Sequence, residues 1–156
     1  LSRPVADRVM RRIRSHFGPN LVEVKKDIRV LLSVSDEKRV IALVNDQSSP
    51  SVNQLYWTRF LNQETGFYRG AVQIAYRMQK PVYFVKMQKY RRERYTIDFK
   101  KLAAPPIPYQ ANSILEAYAR QLEETIREQP SYWLWSHKRW KYRRPAAPTH
   151  QSTHTN

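Results

Sequence analysis

The segment GFYRGAVQIAYRMQKPVYFVKMQKYRRERYTIDF, residues 66–99, places a helical pattern directly before a strand pattern. Four apolar residues recur on one side of the predicted helix: Val72, Ile74, Ala75 and Met78. We predict that this helix begins at Gly66-Phe67 and ends before Pro81, since proline cannot continue a helix. The apolar run at 82–87 then predicts a strand, so the segment combines α and β structure.

The second half of the segment predicts a β-hairpin. Tyr95, Ile97 and Phe99 alternate with polar residues and form the expected partner strand. The tip between the strands is cationic and contains Arg91, Arg92 and Arg94. These arginines either meet lipid phosphate or the acidic residues of a carrier protein, or form an ordinary solvated turn.

Toward the N-terminus, the pattern again alternates helix and strand. Apolar residues spaced by four predict a helix at 4–17, and Val24, Ile28, Leu31 and Leu32 predict a second one. The uninterrupted apolar run at 40–44 is typical of a buried central strand. Helix, turn and buried strand form half of an α/β unit, so we predict an α/β fold.

Toward the C-terminus, the clearest helical pattern covers residues 113–129. Ser113 and Glu116 have the spacing of a capping box, and Pro130 ends the pattern. Two i, i+4 ion pairs are predicted along this helix: Glu116 with Arg120, and Glu123 with Arg127. We therefore expect a mixed sheet flanked by helices, with a C-terminal helical segment.

Composition excludes several classes of protein. A chain of 156 residues that is 41% hydrophobic can bury one domain core. The absence of cysteine excludes disulfides, thiolate metal sites and a cysteine nucleophile. Three glycines are too few for a glycine-rich phosphate loop, and the longest uncharged stretch, 102–115, is too short to span a bilayer. We expect neither a metal nor a cofactor.

The net charge of +15 is concentrated in three blocks. Residues 1–14, 86–101 and 138–144 hold 17 of the 28 basic residues and 3 of the 13 acidic ones. Such blocks favour a polyanionic partner: nucleic acid, an anionic membrane leaflet, or a phosphorylated lipid or carrier. Alternatively, they only keep the protein soluble. Composition does not choose among these partners.

Three short elements are candidate substrate-binding residues. Asp46 and Gln47 follow the predicted strand, where ligands gather in open α/β sheets, or they cap the next turn. Thr65 and Gly66 either present helix N-terminal N–H groups to a phosphate or form an ordinary cap. On the first helix, Arg11, Arg12 and Arg14 either bind a phosphate or lie on a solvated face.

The aromatic and basic segment at 133–144 is the most membrane-like part of the chain. Tryptophan favours membrane interfaces, and basic residues favour anionic leaflets. We predict membrane contact by Trp140, Lys141 and Arg143, with Trp133 buried and Trp140 nearer the surface. His137 has no acidic partner at a suitable spacing, so we predict a structural or headgroup contact for it.

Three segments in this order carry a family resemblance: VIALVNDQ at 40–47, TGFYRGAVQIAYRMQKPVYF at 65–84, and YARQLEETIREQPSYWLWSHKRWK at 118–141. Together they resemble the lysophospholipid acyltransferase-like family of lipid A biosynthesis acyltransferases. The Asp46-Gln47 pair is similar to that family's DQ element. The aromatic run that leads to His137 and Arg139 is similar to its C-terminal signature.

The resemblance implies transfer of a fatty acyl chain from an acyl carrier protein or coenzyme A thioester. The implied acceptor is a hydroxyl of an anionic glycolipid or lysolipid, at the cytoplasmic face of the bacterial inner membrane. In that family the His of an H-x-x-x-x-D/E motif activates the acceptor.

None of the four histidines here has that spacing. The chain also starts at Leu1, so we expect residues 1–144 to be a partial acyltransferase domain that is inactive alone, followed by a flexible tail at 145–156. The alternative from another class is a basic nucleic-acid-binding module, since ten tyrosines and four tryptophans suit base stacking. No nucleic-acid-binding signature is readable, so we expect no nucleic-acid partner.

Overall fold

Helix α1, Arg3–Ser15, is the described element of the first of two structural units. The computed structural model describes residues 3–22, 32, 38–49 and 51–145, and the chain divides into units 1–42 and 43–156. The prediction of α1 is confirmed, and Arg11 Nε contacts Asp7 Oδ2 at 3.1 Å along it. The second predicted helix lies outside the described residues except for Leu32, which is helical.

The predicted buried strand at 40–44 is wrong. This segment has no strand structure, and Val40 and Val44 are 95% and 83% exposed. The described residues form four strands, and each of these strands pairs with another of the four. An apolar run needs a backbone partner to become a strand, and among these residues 40–44 has none.

The regular structure of the second unit begins with a hairpin that was not predicted from the sequence. Strands β1, Leu55–Phe60, and β2, Gln63–Tyr68, are antiparallel. Leu61 and Asn62 connect them in a two-residue turn, with φ of 48° and 63°. Positive φ at both positions matches the right-handed twist of a tight hairpin.

Thr65 and Gly66 therefore lie inside β2, and the prediction that they begin a helix is wrong. Gly66 is opposite Trp57, and a Cβ at Gly66 would lie 2.7 Å from Leu55 Cδ1. The absence of a side chain at Gly66 permits close packing against β1. The N–H of Gly66 belongs to a strand and not to the N-terminus of a helix.

The next three elements confirm the predicted helix and hairpin. Helix α2 is Gly70–Met78, four residues shorter at its start than predicted, and Gln79 ends it in a left-handed conformation with φ of 47°. Strands β3, Val82–Arg91, and β4, Arg94–Ala103, form a long antiparallel hairpin.

Helix α3, Asn112–Glu128, is confirmed, but its predicted capping box is wrong. Ala111 occupies the cap position, where no side chain caps the helix. The Glu116 carboxylate instead accepts hydrogen bonds from the Tyr56 hydroxyl at 2.8 Å and the Thr58 hydroxyl at 2.9 Å. Its role is to join α3 to β1.

The ion pairs of α3 also differ in part from the prediction. Glu123 binds Arg127 at 2.7 Å, which confirms that pair. Arg120 binds Glu123 at 3.0 Å rather than Glu116, because Glu116 is turned toward β1.

Helix α3 packs against both hairpins and α2 and contributes five of the twelve residues of the core cluster. The buried apolar cluster consists of Phe60, Phe67, Val72, Ala75, Phe84, Ile107, Ala111, Ile114, Leu115, Ala119, Leu122 and Ile126. A 3-10 turn, Pro130–Tyr132, follows α3. The predicted α/β class with a C-terminal helical segment is confirmed, and its strands lie in two antiparallel pairs.

Candidate functional site

The loop at 43–49 is attached to β2 at one point and to the C-terminal segment at another. Asn45 is buried, and its Nδ2 donates to the Tyr68 carbonyl oxygen at 3.3 Å. The Ser48 N–H donates to His137 Nε2 at 3.0 Å. These two bonds flank Asp46 and Gln47 and fix the course of the loop that carries them.

The bond from Ser48 assigns His137 a structural contact. Because Nε2 accepts the backbone N–H, the neutral ring carries its proton on Nδ1. The Ser48 hydroxyl lies 3.3 Å from the same nitrogen. His137 therefore orients the loop that contains Asp46, in agreement with the structural alternative predicted for it.

Arg139 is the most unusual residue of the site. Only 3% of it is exposed, its Nη1 donates to the Gly66 carbonyl oxygen at 3.0 Å, and its Cζ lies 4.5 Å from the centroid of the Phe67 ring. Its Nε and Nη2 are buried and have no hydrogen-bond partner among the described residues. Buried donors without partners are rare and costly, which is why they mark candidate sites.

Asp46 and Tyr118 are the charged and polar neighbours of this guanidinium. Burial lowers the pKa of Arg139, and interactions with Tyr118 and Asp46 oppose that shift. Burial raises the pKa of the Tyr118 hydroxyl, and the Asp46 charge raises it further. Because burial raises its pKa, the Tyr118 hydroxyl is protonated at neutral pH. We call Asp46, Tyr118 and Arg139 the buried polar cluster.

The buried polar cluster combines unused donors with an unused acceptor. Asp46 Oδ1 is buried without a hydrogen-bond partner among the described residues, as are two nitrogens of Arg139. Asp46 and Arg139 interact through their charges at a distance longer than a direct ion pair. A ligand oxygen that accepts from Arg139 and a ligand hydroxyl that donates to Asp46 would both find a partner here.

A small cavity lies beside Arg139. Its lining residues are Ser49, Leu55, Thr65, Gly66, Arg139, Trp140 and Tyr142. Thr65 is 1% exposed, and its hydroxyl donates to the Gln63 carbonyl oxygen at 3.0 Å and accepts from Trp140 Nε1 at 2.8 Å. The Thr65 side chain thus closes one wall of this cavity and has a structural role.

The structure brings together some of the predicted substrate-binding residues and separates others. Asp46 lies in the buried polar cluster, Thr65 and Gly66 line the adjacent cavity, and Gln47 is exposed on the loop. Arg12 and Arg14 are exposed on α1, which belongs to the other unit.

The residues predicted for membrane contact have different environments. Arg91, Arg92 and Arg94 are exposed at the β3–β4 tip, and Lys141 and Arg143 are also exposed. Trp133 and Trp140 are both half-buried against the core, so Trp133 is less buried than predicted. Trp140 has a bonded indole N–H, and Trp135, 56% exposed, is the surface tryptophan of this segment.

Neither Arg139 nor Tyr118 was predicted from the sequence as a site residue. Arg139 stands between Lys138 and Trp140, just after the aromatic run of the resemblance segment, and this context was the available signal. Tyr118 reads as an ordinary core position of α3, so nothing in its spacing reveals the Asp46 neighbour.

The described part of the chain lacks two further features. Residues 3–22, 32, 38–49 and 51–145 contain no cluster of three His, Cys, Asp or Glu side chains that could hold a metal ion. In the same residues no helix has the length and apolar character to cross a membrane.

The chain is similar to one family of known proteins. No curated protein and no solved structure matches the chain significantly. The family model described as bacterial lipid A biosynthesis acyltransferase matches residues 2–142, which include the entire buried polar cluster. The chain belongs to the bacterial lipid A biosynthesis acyltransferase family.

Proposed function

We propose that the protein transfers a fatty acyl chain from an acyl carrier protein or coenzyme A thioester to a hydroxyl of a lipid A precursor or a lysolipid. The observation that carries the proposal is the family match over residues 2–142, within which Asp46 and Arg139 keep unpaired buried polar atoms. An acyltransferase-type function is what the family description supports.

The buried polar cluster suits the polar head of a phosphorylated glycolipid. Such a head offers phosphate oxygens, which would accept from the free nitrogens of Arg139, and sugar hydroxyls, which would donate to Asp46 Oδ1. Gln47 follows Asp46 on the same loop, and we propose that it takes part in binding. His137 and Asn45 would act as positioning residues, because they hold that loop.

The reaction itself is an ester formation. The acceptor hydroxyl oxygen attacks the thioester carbonyl carbon, the C–S bond breaks, and the thiol leaves with a proton. A general base must remove the hydroxyl proton during attack. We assign that base to no residue of 1–156, since none of its histidines has the H-x-x-x-x-D/E spacing. We propose that this chemistry takes place at the cytoplasmic face of the bacterial inner membrane.

The test is acyl transfer by the protein as its gene encodes it. Detergent-dispersed acceptor, either a lipid A precursor or a lysophospholipid, is incubated with acyl carrier protein thioester or with acyl-coenzyme A in separate reactions. Mass spectrometry is expected to show an acceptor heavier by one acyl chain in at least one of the four combinations. Release of free fatty acid without acceptor modification would instead identify a thioesterase and contradict the proposal.

A further inference from the structure

The β3–β4 hairpin has one anchored face. Phe84 is 6% exposed in the core, and Lys86 Nζ and Gln88 Nε2 both contact the Glu128 carboxylate of α3, at 2.5 and 2.7 Å. Because side chains alternate along a strand, residues 83, 85, 87 and 89 point to the opposite face.

The opposite face is apolar and exposed. Six apolar side chains on it are between 48% and 68% exposed: Tyr83, Val85, Met87, Tyr95, Ile97 and Phe99. Val85 lies opposite Phe99 and Met87 opposite Ile97, so these side chains form one continuous strip. We call these six residues the hairpin strip. A contiguous exposed apolar surface usually marks an interaction site.

Positive charge borders the hairpin strip at both ends. Lys101 lies opposite Tyr83 and Lys89 lies opposite Tyr95, on the same face as the strip. At the tip, Arg91 is opposite Arg94. The hairpin has two carboxylates: Asp98 pairs in register with Lys86 and therefore lies on the anchored face, and Glu93 lies at the tip, 3.8 Å from Arg92 Nε.

We propose that the hairpin strip lies on the surface of an anionic lipid bilayer. Its aromatic and aliphatic side chains would enter the boundary between headgroups and acyl chains, where tyrosine and phenylalanine are favoured. The lysines and tip arginines would contact lipid phosphates. The inference goes beyond acyl transfer and stands on the hairpin alone, without the buried polar cluster.

Charge and side-chain chemistry favour a bilayer over two other partners. A second copy packed strip to strip would bring Lys89, Lys101 and the tip arginines close to their counterparts, in a chain of net charge +15. Single-stranded nucleic acid binds through aromatic stacking platforms, whereas the centre of this strip is aliphatic: Val85, Met87 and Ile97. An anionic bilayer complements both the apolar centre and the cationic ends.

The chain has no cysteine, so one introduced cysteine can carry a single fluorescent label that tests the contact directly. Met87→Cys carries an environment-sensitive fluorophore on the strip. Thr96→Cys carries it on the anchored side of the same hairpin, since Thr96 is opposite Gln88. Vesicles of phosphatidylcholine with about one third phosphatidylglycerol should shift the emission at position 87 to the blue. The emission shift should be much smaller for the label at position 96. It should also be much smaller for the label at position 87 when the vesicles contain phosphatidylcholine alone.

Matched substitutions quantify the contact by vesicle co-sedimentation. Phe99→Ser should lower partitioning by about tenfold, whereas Tyr109→Ser, a substitution of an equally exposed aromatic outside the hairpin, should leave it unchanged. Lys89→Gln and Lys101→Gln should each lower it by about fivefold, with Lys80→Gln as the control. Circular dichroism of each variant verifies that the fold is retained.

Three results would overturn the inference. One is vesicle binding by the chain with no emission shift at position 87. The second is a lipid-free shift at position 87 that grows with protein concentration, which would assign the strip to a second copy. The third is a shift produced by single-stranded RNA and not by vesicles. Since acyl transfer is measured in detergent, failure of the strip and failure of the proposed reaction are separate results.

Discussion

The Arg139 guanidinium lies 4.5 Å above the ring of Phe67, and Phe67 belongs to the central core cluster. Through this contact the C-terminal segment is fixed to β2 in the interior of the protein. The Coulombic partner of the guanidinium, Asp46, lies on the loop at 43–49. One cation therefore links three parts of the second unit that are far apart in sequence.

We predict that Asp46 and Arg139 are energetically coupled although no direct hydrogen bond joins them. Arg139→Met should destabilise the protein by about 2–3 kcal/mol, because it removes the hydrogen bond to the Gly66 carbonyl oxygen and leaves Asp46 without its compensating positive charge. In the Asp46→Asn background the same substitution should cost about 1 kcal/mol less. Urea unfolding of the four proteins, followed by circular dichroism, measures this coupling. The matched cycle of Asp46→Asn with Lys80→Met should be additive, and additivity in both cycles would contradict the coupling.

The interface between α3 and β1 supplies a second prediction. Glu116→Gln should lower the free energy of unfolding by about 1–2 kcal/mol, because it weakens charge-assisted bonds from two hydroxyls, those of Tyr56 and Thr58. The hydrogen bond to Glu116 raises the pKa of Tyr56, so the same variant should move the pKa of Tyr56 back toward 10.0. Ultraviolet titration with Tyr56→Phe as the reference identifies that transition.

Ser113→Ala is the matched control for this prediction. A capping box would make Ser113 and Glu116 equally important for the start of α3, whereas no side chain caps the helix. Ser113→Ala should therefore change stability by less than about 0.5 kcal/mol. A large loss from Ser113→Ala together with a small loss from Glu116→Gln would contradict the interface assignment.

Local patterns predicted the elements whose partners are close in sequence. Helix α3 and the β3–β4 hairpin follow from their own periodicity and from the prolines that bound the neighbouring segments. The β1–β2 hairpin was missed because its turn, Leu61-Asn62, lacks the glycine that usually marks such turns. The apolar run at 40–44 was misread because periodicity reports hydrophobicity and not the presence of a pairing strand.

The candidate site was predictable only in part, for a related reason. Asp46 was found because it follows an apolar run before a loop. Arg139 was missed because its importance comes from burial beneath β2, about 70 residues away in the chain, and sequence pattern normally predicts an exposed arginine.

The stability of the protein at acidic pH should depend on Glu123. The hydrogen bond from Arg127 lowers the pKa of this carboxyl in the folded protein, against an opposing effect of burial. The pKa of Glu123 is lower in the folded protein than its unfolded-state value of about 4.5, so the ionised carboxyl stabilises the fold above that pH. This stabilisation is lost as the pH falls through the folded-state pKa. Glu123→Gln should reduce the free energy of unfolding near pH 7 by about 1 kcal/mol. Below about pH 5 the variant should lose less stability on acidification than the wild type does.

Thermal unfolding from pH 7 to pH 3 tests this dependence. Glu124→Gln, on the exposed side of the same helix, serves as the control and should follow the wild-type curve. Parallel curves for wild type and Glu123→Gln, separated by a constant offset, would show that Glu123 does not contribute to acid sensitivity.

The proposed role of Asp46 predicts a loss of acyl transfer without a loss of fold. Asp46→Asn keeps the size of the side chain but removes the charge that faces Arg139, so an acceptor hydroxyl loses its strongest partner in the cluster. For the protein as its gene encodes it, we expect kcat/KM to fall by about tenfold or more, which corresponds to about 1.4 kcal/mol of lost transition-state stabilisation. Asp98→Asn removes an exposed carboxylate on β4 and should leave kcat/KM unchanged. If Asp46→Asn retained full turnover with the same lipid acceptor, the buried polar cluster would have to be reassigned from substrate binding to the structural connection between the loop and the C-terminal segment.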